Sequence, residues 1–162
     1  MRIMKMDQLS YGVTTTNIIT KIPSEFGKLT NRPTINPTLT LTNGVQTSAF
    51  PSAAINDTYQ SQTILVNQPG TYSIYVYVLT NGFCAKATFD VKNKYTPYGG
   101  NSEYSFGEID LYSLSTTLSV LKFSNIVLEY AGGIYLQYVV TGKNGLSSGY
   151  NVNLSDIVLV KE

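Results

Sequence analysis

The chain has 162 residues, enough for one domain of ordinary size, which hides roughly 70% of its unfolded surface. Charged residues make up 13% of it against 43% hydrophobic, a balance that excludes a disordered chain. The formal net charge of +1 leaves no basic footprint for nucleic acid.

Polarity comes instead from Thr, Ser and Asn, with 13 Tyr and no Trp. Thr and Tyr suit a pleated, half-wet surface, and Asn and Gly suit the turns between strands, so the composition is that of an all-β protein. The opening Met1–Asp7 lacks the apolar run of a signal peptide. No window reaches the roughly 18 apolar residues of a membrane helix. The expectation is a protein made and kept in a cytoplasm unless other machinery exports it, with no membrane partner.

Residues 1–37 hold Pro23, Pro33 and Pro37, half of the six prolines, and one short strand candidate, Val13–Thr20. Proline restricts itself and the residue before it, so this segment reads as extended chain. It is either a first strand with a surface loop or an arm that lies against a neighbouring subunit; the division adopted is an N-terminal arm, 1–37, and a sandwich domain, 38–162. Thr38–Thr42 alternates strictly and stops at Asn43-Gly44, which predicts a strand with Leu39 and Leu41 on a buried face. Residues 52–62 read as polar loop, and Thr63–Val66 as a short apolar strand. The run Gly70–Thr80, then Asn81-Gly82, then Phe83–Val91 predicts a β-hairpin whose first strand carries bulk on both faces. A loop follows over 92–101. Segments 106–113 and 117–123 read as two short strands. Ile126–Tyr130 and Ile134–Thr141, around Gly132-Gly133, suggest a second hairpin, and Tyr150–Val160 closes the chain. Gly70–Val78 and Gly133–Val140 echo one another, as two strands in similar surroundings would. Eight to ten strands with turns every ten residues or so predict a jelly-roll-like antiparallel β-sandwich.

The chemistry available is narrow. With no histidine, the commonest general base and metal ligand is gone, and with it the His-dependent serine and cysteine triads. Glu108 and Asp110 share one face of an extended segment at roughly 7 Å, within reach of carboxylate-pair glycoside chemistry, though two acids on a solvent face are far commoner. Asp57 and Asp156 are oxygen donors for a structural calcium or, more simply, local turn formers. Cys84 is alone and reads as a small packed hydrophobe. Lys86, Lys92 and Lys94, diluted by Asp90, read as a solvated strand end. The sequon matches at Asn56 and Asn153 read as chance in an Asn/Thr/Ser-rich chain. Tyrosines are the residues most open to binding: Tyr95, Tyr98 and Tyr104, with Asn101, cluster around Gly99-Gly100. They suit an end cap of the sandwich, a protein contact or a sugar platform. No enzyme, cofactor or metal site is expected.

Two phrases carry a resemblance. Pro69–Val78 (PGTYSIYVYV) resembles the strand that crosses the middle of jelly-roll domains of the carbohydrate-binding-module and galactose-binding-like type, and Leu154–Glu162 (LSDIVLVKE) is similar to their closing strand. Phage virions use such domains in tails, baseplates, fibres and capsid decorations. Together with the low-charge surface and the proline-rich N-terminal segment, the resemblance implies a phage virion structural protein, a capsid auxiliary (decoration) protein or a small tail or fibre component. Its partners would be other virion proteins (capsid or tail subunits) or further copies of itself, and its location the virion. The alternative is a glycan-binding module with a host glycan as partner. Such modules stack sugars on Trp or Tyr, and here only Tyr is present.

Overall fold

The computed structural model describes residues 19–51, 54–95, 103–129 and 131–162. Among these, the strands are β1 Ile19–Pro23, β2 Lys28–Leu29, β3 Thr38–Thr42, β4 Val45–Ala49, β5 Thr58–Gln60, β6 Ile64–Val66, β7 Gly70–Thr80, β8 Ala85–Tyr95, β9 Tyr104–Asp110, β10 Thr117–Leu128, β11 Gly132–Lys143 and β12 Asn153–Lys161, with a single 3-10 turn at Ser24–Phe26. They form two antiparallel sheets packed as a sandwich. Sheet A runs β10-β7-β12, after which β4 and β1 share the far side of β12 and β3 lies outside β4. Sheet B runs β9-β8-β11, after which β5 and β6 share the far side of β11 and β2 lies outside β5. The echoing segments share interior surroundings but not position: β7 lies between β10 and β12 in sheet A, whereas β11 takes in sheet B the place that β12 takes in sheet A.

The core forms where the inward residues of both sheets meet. Alternation along β7 sends Tyr72, Ile74, Val76 and Val78 inward, all buried. Each such fully buried aliphatic side chain contributes about 1.5–3 kcal/mol. An aromatic chain links the layers: Phe50 to Tyr59, Tyr59 stacked on Tyr138 at 4.9 Å, then Phe89, Phe123 and Phe106. Burial pushes the Tyr59 and Tyr138 phenols above their usual range, and the Tyr59 hydroxyl is satisfied by donating to the Ser24 carbonyl at 2.8 Å.

Each sheet has one strand flanked by two half-strands, and a buried serine seals each gap. In sheet A the Ser24 hydroxyl, itself bonded to Ser48 at 2.6 Å, donates to the Leu154 carbonyl at 2.8 Å, where β1 gives way to β4. In sheet B Ser61 donates its N–H to the Leu136 carbonyl and accepts from the Leu136 N–H through its hydroxyl, between β5 and β6. A buried backbone group left without a partner would cost about 1–3 kcal/mol, so these serines are structural.

Several sequence expectations change. Residues 19–37, placed in the arm, belong to the sandwich: β1 pairs with β12, β2 with β5, and Leu29 is in the core. The rest of the expected arm, residues 1–18, and most of the first strand candidate lie outside the described residues. The two expected hairpins are crossings between sheets, since β7 and β8 lie in different sheets, as do β10 and β11. The reason is visible at the turns. A type I′ hairpin turn needs positive φ at both central residues. Asn43 and Gly44 have it (50° and 79°), and β3 pairs with β4. Asn81 and Gly82 do not; the Asn81 side chain instead accepts the Phe83 N–H at 2.8 Å and sends the chain across the sandwich. The segments expected at 117–123 and 126–130 are one strand, β10, interrupted by a bulge at Ser124–Asn125 where Asn125 has φ 61°. Strand β5 lies within the expected polar loop. Leu39 and Leu41, expected on a buried face, are 52% and 72% exposed, because β3 is the outermost strand of sheet A and lies beyond the core.

Candidate functional site

The same alternation that fills the core leaves a second set of β7 side chains, Tyr75, Tyr77 and Leu79, on the outer face of sheet A. Register places their neighbours. Leu79 lies between Leu118 of β10 and Asn153 of β12; Tyr77 is opposite Val120; Tyr75 lies between Lys122 and Val158. The Lys122 ammonium stands 5.4 Å from the Tyr75 ring centroid, a cation–π arrangement. Tyr77 has Val120 on one side and, on the other, the register break of β12 between Leu154 and Ile157, which holds Ser155 and the ion-paired Asp156. Leu118 and Val120 are exposed.

This face runs into a cleft of about 350 Å³ at the end of the sheet, lined by Thr40, Thr42, Asn43, Thr47, Leu79, Asn81, Thr116, Asn151 and Asn153. No lining residue is charged. The Asn153 amide donates to the Leu79 carbonyl at 3.2 Å and to the Cys84 sulfur at 3.4 Å, so it is fixed from below. Asn81 spends its oxygen on the Phe83 N–H. Among the described residues, the side chains of Thr40, Thr42, Asn43, Thr47, Thr116 and Asn151 make no hydrogen bond, so a set of hydroxyls and amides is unspent around one hollow. Cys84 lies buried beneath it; burial pushes its thiol up, against the smaller opposing effect of hydrogen bonds with Asn81 and Asn153.

The sequence-derived candidates fare differently. Tyr95 ends β8, and Tyr98 and Asn101 lie outside the described residues. The Tyr104 hydroxyl accepts the Val127 N–H at 3.0 Å and donates to the Val127 carbonyl at 2.7 Å, stapling β9 to β10, and the residue packs against the core. Its polar tip is committed to backbone. Glu108 accepts from the Thr141 hydroxyl at 2.7 Å. At Asp110, desolvation would raise the pKa, but hydrogen bonds from Asn144 and the Tyr112 N–H and the Lys86 charge together hold the carboxyl below its usual value. A general acid needs the opposite shift.

The two calcium candidates are also occupied. The Asp57 carboxylate is buried, and it accepts from Arg32 Nε at 2.9 Å, from the Arg32 terminal nitrogen, from the Asn31 amide at 3.2 Å and from the Ala54 N–H at 2.8 Å. A guanidinium stands where a cation would. Asp156 pairs with Lys21 at 2.9 Å. Among the described residues, no group of three or more acidic or cysteine side chains converges to hold a metal.

Sequence reasoning read Tyr75 and Tyr77 only as strand residues. The signal that could have found them was the two-residue period of β7 itself: once Tyr72, Ile74, Val76 and Val78 are assigned inward, the intervening tyrosines must face out.

No protein-family model matches the chain, and no curated protein is similar to it in sequence. Solved structures are similar in fold. A carbohydrate-binding module from Cellvibrio mixtus lichenase 5A, solved in complex with cellotriose, is 12% identical with a TM-score of 0.53, covering 88% of this chain and 97% of that one. A xanthan lyase from Paenibacillus is 20% identical with a TM-score of 0.58, and the match takes in 87% of this chain but 14% of the lyase. The enzymatically active domain of tailspike protein 4 from bacteriophage CBA120 is 12% identical with a TM-score of 0.53, over 90% of this chain and 19% of that one. The chain therefore spans a small part of the two larger proteins and nearly the whole length of the lichenase module. It has the jelly-roll-like β-sandwich fold of carbohydrate-binding modules.

Proposed function

We propose that this protein is a non-catalytic glycan-binding module that holds a neutral saccharide on the outer face of sheet A. One observation carries the reading: the outer-face tyrosine Tyr77, beside Val120, stands on the sheet face that leads through Leu79 into an uncharged cleft ringed by unspent Thr and Asn groups. A sugar ring has an apolar C–H face and a polar hydroxyl edge. The first packs on an aromatic platform, and the second needs donors and acceptors of adaptable geometry, which Thr and Asn supply. The absence of lining charge favours a neutral sugar over a uronate or sulfate. The match to almost the full length of a module solved with cellotriose supports this reading.

The test is a glycan array followed by calorimetry on any hit, with Tyr77→Ala and Thr40→Ala as variants. Binding of a neutral oligosaccharide, weakened about tenfold or more by Tyr77→Ala with the fold intact, is expected. Silence across neutral glycans, or binding that both variants leave unchanged, overturns the assignment.

A second reading is a virion component, a capsid decoration or tail part that meets other virion proteins. Exposed Leu39 and Leu41 on an edge strand and the fold similarity to a phage tailspike domain favour it. The two readings are compatible in a receptor-binding tip.

A further inference from the structure

A strand at the edge of a sheet presents unpaired N–H and C=O groups, and proteins blunt such edges with charge, proline, bulges or covering side chains. Two long edges here are blunted in this way. Strand β10 carries Lys122, the Ser124–Asn125 bulge and the Tyr104 hydroxyl on the Val127 backbone. Strand β9 carries Glu108 and Asp110 and is bent at Gly107, whose φ is 77°. Strand β3 has none of these devices, and among the described residues nothing pairs with its outer edge.

The register of β3 fixes what that edge displays. Thr42↔Val45 closes the two-residue Asn43–Gly44 turn, and such a closing pair exchanges both backbone hydrogen bonds. Alternation then turns the backbone groups of Thr38, Thr40 and Thr42 toward β4 and those of Leu39 and Leu41 toward the open side. The sequence Thr38–Thr42, TLTLT, reads the same in both directions. In addition, no residue from Pro33 to Asn56 carries a charge.

We propose that two copies of this chain pair antiparallel along β3, about a two-fold axis at Thr40, so that sheet A runs continuously through both. Leu39 then lies opposite the second copy's Leu41, Leu41 opposite its Leu39, and Thr40 opposite Thr40. Each Leu pair exchanges two backbone hydrogen bonds. A two-fold contact sets a surface against itself, so any charge near the axis meets its like. The neutral Pro33–Asn56 segment keeps charge off β3 and β4 themselves, the Glu25 carboxylate on the Gln46 amide lying one strand in from the edge, and the four exposed leucines bury one another. Thr40 and Thr42 also line the uncharged cleft, so pairing sets the two clefts side by side on one face. The pairing stands on the strand edge and does not depend on what the cleft binds.

A five-residue pairing buries less than the roughly 1,200 Å² of a standard stable interface, so the dimer is concentration-dependent. Sedimentation equilibrium of the full chain is expected to show a mass rising from one chain's 17.8 kDa toward twice that value. The double variants Leu39→Lys/Leu41→Lys and Leu39→Glu/Leu41→Glu should each associate at least about tenfold more weakly, and an equimolar mixture should recover a one-to-one dimer. Amide exchange of wild type should show Leu39 and Leu41 protected only at high concentration, which keeps the test open if a variant misfolds. A wild type that stays monomeric at every concentration, charged variants that dimerise like wild type, a mixture that does not pair, or amide protection independent of concentration would each overturn the proposal.

Discussion

The Arg32–Asp57 pair tests whether residues 19–37 belong energetically to the sandwich. Asp57 is 3% exposed, and its main chain is tied to β11, where its carbonyl accepts the Val140 N–H at 2.9 Å. Its carboxylate takes the four hydrogen bonds described above, two of them from Arg32. Replacing Arg32 by Met removes those two charge-assisted bonds and the only counter-charge among the described residues, leaving Asn31 and Ala54. Breaking a buried pair from one side costs about 3–5 kcal/mol. The Arg32 side chain is 28% exposed, so water reaches part of the vacated site and the lower end, about 3 kcal/mol, applies. For a chain of this size that is a fall in Tm of about 6–12 °C.

Asp57→Asn should cost less, because the partly exposed guanidinium can turn to solvent, and the Arg32→Met/Asp57→Asn double variant should recover most of the Arg32→Met loss. Urea unfolding followed by tyrosine near-UV circular dichroism suits a chain with 13 Tyr and no Trp. A loss below about 0.5 kcal/mol in Arg32→Met would refute the reasoning, since the pair would then behave as an exposed ion pair. Added calcium should leave the wild-type Tm unchanged, because every carboxylate contact at Asp57 is already taken.

Two glycine experiments probe local geometry. A Cβ at Gly27 would lie 2.3 Å from the Tyr59 hydroxyl oxygen, and that ring is held by Phe50 and Tyr138, so Gly27→Ala should destabilise by about 1–3 kcal/mol; a change within about 0.5 kcal/mol in a denaturant titration would show that the ring can move aside. Gly44→Ala and Gly82→Ala should differ in sign: neither Cβ meets an atom within 4 Å, but Gly44 has φ +79° and should lose about 1 kcal/mol or more. Gly82 has ordinary φ and should be neutral or gain up to about 1 kcal/mol; equal losses at both, measured in the same titration, would contradict the sheet crossing at Asn81–Gly82.

Strand content was legible because each strand's chemistry is local. β7 alternates Tyr and aliphatic residues between a Pro-Gly turn and an Asn-Gly pair, and nothing outside that segment is needed to see it. Which sheet a strand joins was not legible. Asn43-Gly44 and Asn81-Gly82 are the same dipeptide, yet one makes a hairpin and the other a crossing. The difference lies in φ, and φ is set by what the surrounding chain bonds to. At Asn81–Gly82 the local bond from the Phe83 N–H to the Asn81 side chain is joined by distant partners, Ser147 and Ser148, which donate to the Gly82 carbonyl. Burial at the edge was hidden for a related reason. The alternation of Thr38–Thr42 promises one apolar face, and it delivers one, but whether a facing sheet covers that face depends on strand order.

The site was half legible for the same physical cause. Period-two alternation determines both faces of β7 at once, so assigning Ile74 and Val76 to the core also assigns Tyr75 and Tyr77 to the outside. What it cannot supply is the cleft beside them. Thr40 and Thr47 of one hairpin, Asn81, and Asn151 with Asn153 come from three separate stretches of chain and meet only because β12 accepts β7 on one side and β4 on the other. Binding sites built on a sheet face share this property: the platform is written along one strand, while the polar rim is written across the order of strands. The aromatic anchor of such a site can therefore be found from one sequence, whereas its specificity has to be read from the fold.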